Sequence, residues 1–382
     1  MKVAHISLLV NFLPGFANSI NSEAKSGRII GDNTWETYIV SADEKPNTID
    51  EAVNWIRLWM PENFLGKTDV SNPFIFYFLR VITINFLLFR IIFNFKVNQL
   101  TKKHDFVFVR YNSADLLAWL FLKRKKQIIF VYHNRTYFEL KLYSKIGAFI
   151  ERITGRFQTI GCKYIAAVTD EIGKYQIELS PSIKKYIVKP NGIEVDLKKE
   201  FIDKRGGKLK FLMIASTFSD WQGLDILIDR NKKYTKSDEI EIHLVGKLSK
   251  KQEWEVEKIG NIIYHGVLNK EQIEKLYERI DVGIGTLAFF RSGLLEASPI
   301  KVREYLNNGI LTAIGYDEFV FPKDFKYIYR LGKNWELKEI VKFVLENRNI
   351  SRDEVRSASI KYISQKEILK KVIKQLGNCG ND

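Results

Sequence analysis

The sequence lacks the features of secreted, disulfide-linked or zinc-organised proteins. Its only two cysteines, Cys162 and Cys379, are too few and too far apart for a disulfide framework or a zinc site. The first residues form a strand-like run without the basic region, apolar stretch and cleavage site of a secretory signal. These absences predict an unexported protein in a reducing, cytoplasmic setting.

The sequence also lacks a long apolar run free of charge. Residues 74–93 are almost continuously apolar, but two arginines interrupt them, which makes a bilayer span unfavourable. At about 100° per residue, the polar side chains in and after this run share one stripe of a helix: Arg80, Thr83, Arg90, Asn94 and Asn98. The pattern indicates either a helix buried against a sheet or a helix lying in the membrane interface.

Acidic residues are scarce in the first half of the chain. Residues 1–190 contain 26 Lys and Arg against 16 Asp and Glu, which contribute +10 of the total net charge of +15. Basic runs at residues 102–103 and 123–126 contribute to this excess. Such a surface indicates an anionic partner, either nucleic acid or an acidic membrane leaflet. No nucleic-acid recognition motif accompanies the charge, so we predict no nucleic-acid partner.

Short β-branched runs alternate with longer amphipathic stretches, which predicts parallel sheets covered by helices on both faces. The predicted strands are 3–10, 38–41, 106–110, 128–132, 164–168 and 186–188, then 210–215, 240–245, 262–264, 282–285 and 310–314. A Pro-Asn-Gly turn at residues 190–192 separates the two series. With 382 residues, the pattern predicts two α/β domains, 1–190 and 191–360, with a linker near 190–208 and a final helix within 361–382.

The most informative segment runs from Arg291 to Gly309. Ser298 suits a helix N-cap, Pro299 the first helical position and Gly309 the residue beyond the helix C-terminus. The helix N-terminus and Lys301 would form an anion site fit for a diphosphate, with Glu296 in the preceding loop and Glu304 one turn further on. Alternatively, Lys301 and Glu304 form only an ion pair on an ordinary capped helix.

The spacing of Glu296 and Glu304 matches the E-x7-E motif of retaining GT-B glycosyltransferases of family 4. The sequence from Glu296 to Leu306 resembles the corresponding segment in the bacterial capsule and exopolysaccharide branch of that family. Residues 168–171, 188–193, 215–225, 243–246 and 264–267 resemble further family segments in the right order. The resemblance implies two Rossmann-like domains facing across a cleft, with the C-terminal helix crossing back to the first domain.

The resemblance also implies site residues. Glu296 would hold the donor sugar and Glu304 the ribose, while His133, at the C-terminal end of a strand, would lie beside the reacting centre. The expected donor-binding positions are Gly15, Ser216, Gln222, Gly246, Gly266, Val267, Ser298, Pro299, Ile300, Lys301 and Glu304. The family usually places an Arg and a Lys where Ser216 or Thr217 and Gln222 stand here, so that Lys301 or Arg291 would have to compensate.

The implied reaction is transfer of a hexosyl or N-acetylhexosaminyl group from a UDP- or GDP-sugar, which is a substrate, so that no cofactor is expected. The chain contains no Asp-x-Asp motif, which predicts that helix amides and cationic side chains, rather than a metal, stabilise the departing diphosphate. The resemblance implies retention and a saccharide or lipid-linked acceptor in surface polysaccharide synthesis, at the inner face of the plasma membrane. A catalytically silent GT-B subunit and a nucleotide-sugar 2-epimerase stay open as alternatives.

Overall fold

A computed structural model describes most of the chain. The described residues are 1–9, 14–28, 30–41, 43–58, 84–113, 115–122, 125–133, 137, 140–141, 145–180, 182–183 and 185–379. Contacts divide the chain into two compact units. The N-terminal unit contains residues 1–190 and 365–382, and the C-terminal unit contains residues 191–364.

The N-terminal unit is built on a seven-stranded, fully parallel sheet of order β3-β2-β1-β4-β5-β6-β7. Its strands are β1 (Lys2–Leu9), β2 (Thr34–Ser41), β3 (Val53–Arg57), β4 (Phe106–Arg110), β5 (Ile128–Tyr132), β6 (Tyr164–Ala167) and β7 (Lys185–Val188). Its helices are α1 (Pro14–Gly27), α2 (Ile84–Leu100), α3 (Leu116–Leu122), α4 (Lys145–Gln158) and α5 (Asp170–Leu179).

The last helix of the chain, α12 (Gln365–Cys379), also belongs to the N-terminal unit. Its Leu369, Val372 and Leu376 are buried in one apolar cluster with Val3 of β1 and Trp35 of β2. The helix therefore returns to the first unit, as the family resemblance implied.

The C-terminal unit repeats this architecture with a six-stranded parallel sheet of order β10-β9-β8-β11-β12-β13. Its strands are β8 (Leu209–Thr217), β9 (Ile240–Lys247), β10 (Ile262–Tyr264), β11 (Val282–Ile284), β12 (Leu311–Ile314) and β13 (Ile328–Arg330). Its helices are α6 (Leu224–Lys233), α7 (Lys250–Glu257), α8 (Lys270–Tyr277), α9 (Ile300–Asn307), α10 (Leu337–Asn347) and α11 (Arg352–Ile363). The two Rossmann-like units confirm the predicted fold class.

Two strands escaped sequence prediction. β3 has polar Asn54 and Arg57 within five residues, and β13 is only three residues long. Both lie at a sheet edge, where one side of a strand has no neighbour and a long apolar run is not needed. Of the apolar run at 74–93, residues 74–83 lie outside the described residues. In its described continuation, α2, Phe89, Phe93 and Val97 are buried, and so are the polar Arg90 and Asn94.

Candidate functional site

Most of the predicted donor-binding residues follow strands of the C-terminal sheet. Ser216 and Gly246 are the penultimate residues of β8 and β9, while Gln222 follows β8 and Gly266 follows β10. The segment from 285 to 299 connects β11 to helix α9. Since the carboxyl ends of parallel strands meet at one edge of a sheet, these segments share the edge where α/β proteins bind ligands.

Helix α9 begins one residue later than the sequence predicted. Its N-cap is Pro299, with an extended backbone (φ −75°, ψ 141°) and no capping side chain, and its first helical residue is Ile300. Ser298 is not the N-cap, because its hydroxyl accepts a hydrogen bond from the Asn191 amide at 3.0 Å. The Asn191 side chain in turn donates to the Ser298 carbonyl at 2.7 Å. The predicted C-terminal end is confirmed by Gly309, which has a left-handed φ of 67°.

A fully buried ion pair fixes the segment that carries α9. Arg303 donates to both carboxylate oxygens of Glu318, at 3.1 and 3.0 Å, and both side chains have no exposed surface. The same guanidinium donates to the Asn191 carbonyl and to the Pro299 carbonyl of the helix N-cap, so it links α9 to residues 191 and 318. Sequence reasoning missed Arg303. Its position on the same face as the buried Leu306, three residues on, was the available signal.

Lys301 and Gln222, predicted as separate donor contacts, lie together. The Lys301 ammonium donates to the Gln222 side-chain carbonyl at 2.7 Å and to the Ile214 carbonyl at 3.2 Å. Burial lowers the pKa of Lys301 to about 7, because it removes hydration from the charged ammonium. The neutral Gln222 therefore orients a cation that comes from α9.

Lys301 and Glu304 are not the simple ion pair that the alternative interpretation required. Lys301 contacts Gln222 and Ile214, whereas the charged groups that act on the Glu304 carboxyl are Glu274 and Lys270 of α8. Burial, together with the Glu274 carboxylate, raises the pKa of Glu304. Glu304 is thus a poorly hydrated carboxyl, ready to accept hydrogen bonds from a polar ligand.

Glu296 lies half-buried in the loop before α9. Backbone bonds on both sides of it, from Asp317 to Leu295 at 2.8 Å and from Ala297 to Asp317 at 3.2 Å, fix the loop to residue 317. Arg291, considered as a compensating cation, is instead paired with Asp225 through two hydrogen bonds of 2.9 and 2.8 Å. Because Asp225 already balances that charge, Lys301 is the better candidate.

Gly246 is required by a close approach of two strands. It has a φ of 128°, and a Cβ atom there would lie 1.6 Å from the Ala215 carbonyl oxygen. Its amide donates to the Gly266 carbonyl at 2.7 Å, which links the ends of β9 and β10. Gly266 also has a positive φ, of 66°, but open space around it. Val267 beside it is 76% exposed and Ser216 is exposed, so both are accessible to a ligand.

In the N-terminal unit, His133 directly follows β5, as predicted. Its Nε2 is buried and has no hydrogen-bond partner among the described residues. Burial, with the nearby Arg110 and Lys189 cations, holds the pKa of His133 well below its usual value. A neutral imidazole with an unused nitrogen can accept or donate one hydrogen bond to a ligand.

Gly15 does not lie in a loop, because α1 already begins at Pro14. Proline favours the first turn of a helix, so the helix includes the predicted turn. Sequence reasoning also missed a buried network around Glu23 of α1. Its carboxylate contacts His5 at 2.6 Å and accepts bonds from Trp35 and Lys189, each at 2.8 Å. The signals were a histidine within the strongly apolar β1 and a lysine directly after β7.

Neither a metal cluster nor a membrane span is found in the described part of the chain. No group of three or more His, Cys, Asp or Glu side chains there is placed to hold a metal ion. No helix among those residues is both long and apolar enough to cross a bilayer.

Comparison with known proteins gives structural matches only. No protein-family model and no curated sequence matches the chain. A glycosyltransferase from Rickettsia africae ESF-5 is similar along 100% of this chain and 99% of its own, with a TM-score of 0.62 at 14% identity. The lipopolysaccharide outer core galactosyltransferase WaaB, in its apo form, covers 98% of this chain and 100% of its own (TM-score 0.61, 12% identity).

A third similar structure is an S. aureus TarM variant in complex with fondaparinux, alpha-GlcNAc-glycerol and UDP. It covers 97% of this chain and 99% of its own, with a TM-score of 0.62 at 12% identity. At these identities the likeness shows the fold, and the chain has the two-Rossmann-unit fold of GT-B glycosyltransferases along nearly its whole length.

Proposed function

We propose that this chain is a retaining, metal-independent glycosyltransferase. Its donor would be a UDP- or GDP-linked sugar and its acceptor a glycan or lipid-linked saccharide in bacterial capsule or exopolysaccharide synthesis. The fold, the E-x7-E spacing and the similar structures, one of which contains UDP and a glycosylated glycerol, all support this assignment.

One observation carries the proposal. Gln222, which follows β8, holds the ammonium of Lys301 in the first turn of α9. The free amides at the start of α9 and this ammonium together suit a diphosphate, because both place positive charge at one helix end. Glu304, one turn further on, would accept bonds from the ribose hydroxyls, and Glu296 from the hydroxyls of the donor sugar.

The proposed chemistry needs no carboxylate nucleophile. An acceptor hydroxyl oxygen bonds to the anomeric carbon, the bond from that carbon to the phosphate oxygen breaks, and the hydroxyl proton passes to the departing phosphate on the same face. The Lys301 ammonium and the α9 amides would stabilise the charge that develops on the diphosphate. His133 would contact the donor sugar or acceptor through its unused Nε2.

A thermal-shift screen with UDP, GDP, ADP and their sugars in the presence of EDTA tests this proposal. A ligand at about one hundred times its Kd should stabilise the protein by roughly 2.7 kcal/mol. Glu304→Ala should weaken binding about tenfold or more through lost hydrogen bonds to a charged acceptor. Glu346→Ala, on the solvent-facing side of α10, is the matched control and should leave the shift unchanged.

Three outcomes separate the alternatives. Loss of the shift in EDTA would contradict metal independence. A shift without release of nucleoside diphosphate in the presence of acceptors would favour a 2-epimerase. The absence of any nucleotide shift would favour a silent subunit, with the neutral Ser216 and Gln222 as the cause.

The affinity for the diphosphate should depend on pH through Lys301. Its pKa in the free protein is about 7, and a bound diphosphate would raise that value by favouring the charged amine. Binding above this pH therefore takes up a proton, and affinity should fall as the pH rises through about 7 and beyond. Calorimetry at several pH values, with Lys301→Met as the variant that removes the dependence, measures this effect.

A further inference from the structure

Helix α4 of the N-terminal unit turns its apolar side to solvent. Five large apolar side chains recur along the helix and the turn after it at intervals of three and four residues, which places them on one stripe. All are exposed: Ile146 by 48%, Phe149 by 65%, Ile153 by 46%, Phe157 by 42% and Ile160 by 41%. A stripe of this kind on a helix of a globular protein is normally buried.

The inward side of the same helix is largely polar. Glu151, Thr154 and Gln158 are buried there beside Ala148. Glu151 accepts a hydrogen bond from the Tyr111 hydroxyl, and Gln158 donates to the Asn112 carbonyl at 3.1 Å. These bonds fix the rotation of α4 about its axis, so the exposed stripe is a consequence of specific buried contacts.

The neighbouring helices add to the exposed apolar surface. α4 packs beside α3, and α3 packs beside α2. Leu120 of α3 is 53% exposed and Phe95 of α2 is 51% exposed. In α2 the polar Arg90 and Asn94 are buried, so this helix also turns part of its polar stripe inward.

Positive charge surrounds this surface. Lys145, Arg152 and Arg156 are exposed on α4, and at about 100° per residue they lie along one edge of the apolar stripe. Residues 84–163, which include α2, α3 and α4, contain 15 Lys and Arg against 4 Asp and Glu, a net charge of +11. The basic excess of the N-terminal half is thus concentrated where its apolar side chains are exposed.

We infer that the α4 face, defined as Ile146, Phe149, Ile153, Phe157 and Ile160 with Arg152 and Arg156, binds the interface of an anionic phospholipid membrane. Apolar side chains would enter the boundary between headgroups and acyl chains, and the arginines would extend to the phosphates. The inference goes beyond the proposed function, from which it takes only the reason for meeting a membrane.

Charge favours a membrane over a second copy of the chain as the partner. In a symmetric dimer through this face, the same patch would lie on both subunits. Two surfaces with the same excess of positive charge would then face each other. An anionic leaflet instead offers opposite charge along with an apolar layer.

Vesicle flotation of the full chain tests the inference, with phosphatidylglycerol vesicles compared with phosphatidylcholine vesicles at low salt. The wild type should bind the former and not the latter. Phe149→Ser should weaken binding about tenfold by removing ring area that the membrane would bury. Leu345→Ser, at a similarly exposed apolar residue on α10 of the other unit, should have no effect. Arg152→Gln with Arg156→Gln should weaken binding about 30-fold, since each cation near such a surface contributes about fivefold. Lys250→Gln with Lys251→Gln on α7 is the matched charge control.

Each result has a defined meaning. Absence of flotation, equal binding to both lipids, or equal losses in α4 and control variants would overturn the inference. So would a concentration-dependent dimer in sedimentation that Phe149→Ser dissociates. The nucleotide thermal shift, measured on the same variants, should equal that of the wild type. If neither the wild type nor any variant showed a nucleotide-induced thermal shift, the proposed function would be contradicted, while the flotation result would stand unchanged.

Discussion

Helices α4 and α10 have equally clear helical periodicity and opposite orientations. In α10 the apolar side chains face inward, and Leu337, Ile340, Val341, Phe343 and Val344 are buried. In α4 the apolar stripe faces outward, while Glu151, Thr154 and Gln158 are buried. Periodicity therefore identifies a helix, but it does not decide which side faces the core when the core offers polar partners.

The same contrast applies to arginines. Arg303 in the C-terminal unit has no exposed surface and four charge-assisted or carbonyl contacts, whereas Arg152 on α4 is exposed. An arginine thus forms a buried ion pair in the C-terminal unit and an exposed positive charge in the N-terminal unit. Matched substitutions in the two units would sharpen or break this comparison.

The largest effect is expected for Arg303→Met. Removing the guanidinium leaves Glu318 as a buried uncompensated charge, which costs about 3–5 kcal/mol of unfolding free energy. Arg152→Met, in contrast, should change stability by less than about 0.5 kcal/mol. Urea unfolding measures both. Equal losses in the two variants would show that the buried pair is not a stabilising link.

Gly246→Ala should cost about 3 kcal/mol or more, because the new Cβ would collide with the Ala215 carbonyl oxygen and φ is 128°. Gly266→Ala is the matched control at the same sheet edge, with positive φ but open space. It should cost only about 1–2 kcal/mol. A comparable loss at both positions would mean that backbone conformation, rather than the close approach, accounts for Gly246. Thermal or urea unfolding distinguishes these results.

Ile340→Ala on α10 should cost about 2–5 kcal/mol, since its side chain is fully buried. Ile153→Ala on α4 should cost less than about 0.5 kcal/mol, because Ile153 is nearly half exposed. The ratio of the two losses, from urea unfolding midpoints, reports directly which way each stripe faces. A large loss for Ile153→Ala would place that stripe in a packed interface.

The smallest effect concerns pH. The rings of His243 and His265 stack in the C-terminal unit, and Nδ1 of His243 lies 2.9 Å from Nε2 of His265. Burial, with the facing His265, lowers the pKa of His243 to about 4; Glu241 at 3.7 Å opposes this shift. The pKa of His243 is thus lower in the folded protein than its unfolded value of 6.5. The stability that this group contributes is therefore complete above pH 6.5 and is lost as the pH falls toward 4. We expect a loss of about 1 kcal/mol, reduced by solvent screening. His243→Gln should make the urea unfolding midpoint less dependent on pH across this range. An unchanged pH dependence would contradict the assignment to His243.

Local sequence determined much of this protein. The β-branched runs specified eleven of the thirteen strands within a few residues, because buried parallel strands require apolar side chains throughout. Gly309 ended α9 where predicted, since a left-handed residue there strongly favours glycine. Candidate residues such as Lys301, Glu304 and His133 were also identifiable from type and position.

Tertiary structure alone decided which polar groups would meet. Ser298 could not be known as a partner of Asn191 rather than a helix cap, because the two are 107 residues apart. The contacts of Lys301 with Gln222, of Arg303 with Glu318 and of Glu23 with Lys189 are likewise set by chain topology. The outward rotation of α4 has the same cause, since the hydrogen bonds of Glu151 and Gln158 lie with residues 40 and 46 positions away. Local sequence specifies secondary structure over one or two helical turns. A buried polar side chain, in contrast, must form a hydrogen bond, and its partner is set by the tertiary fold, often at a distant position in the chain.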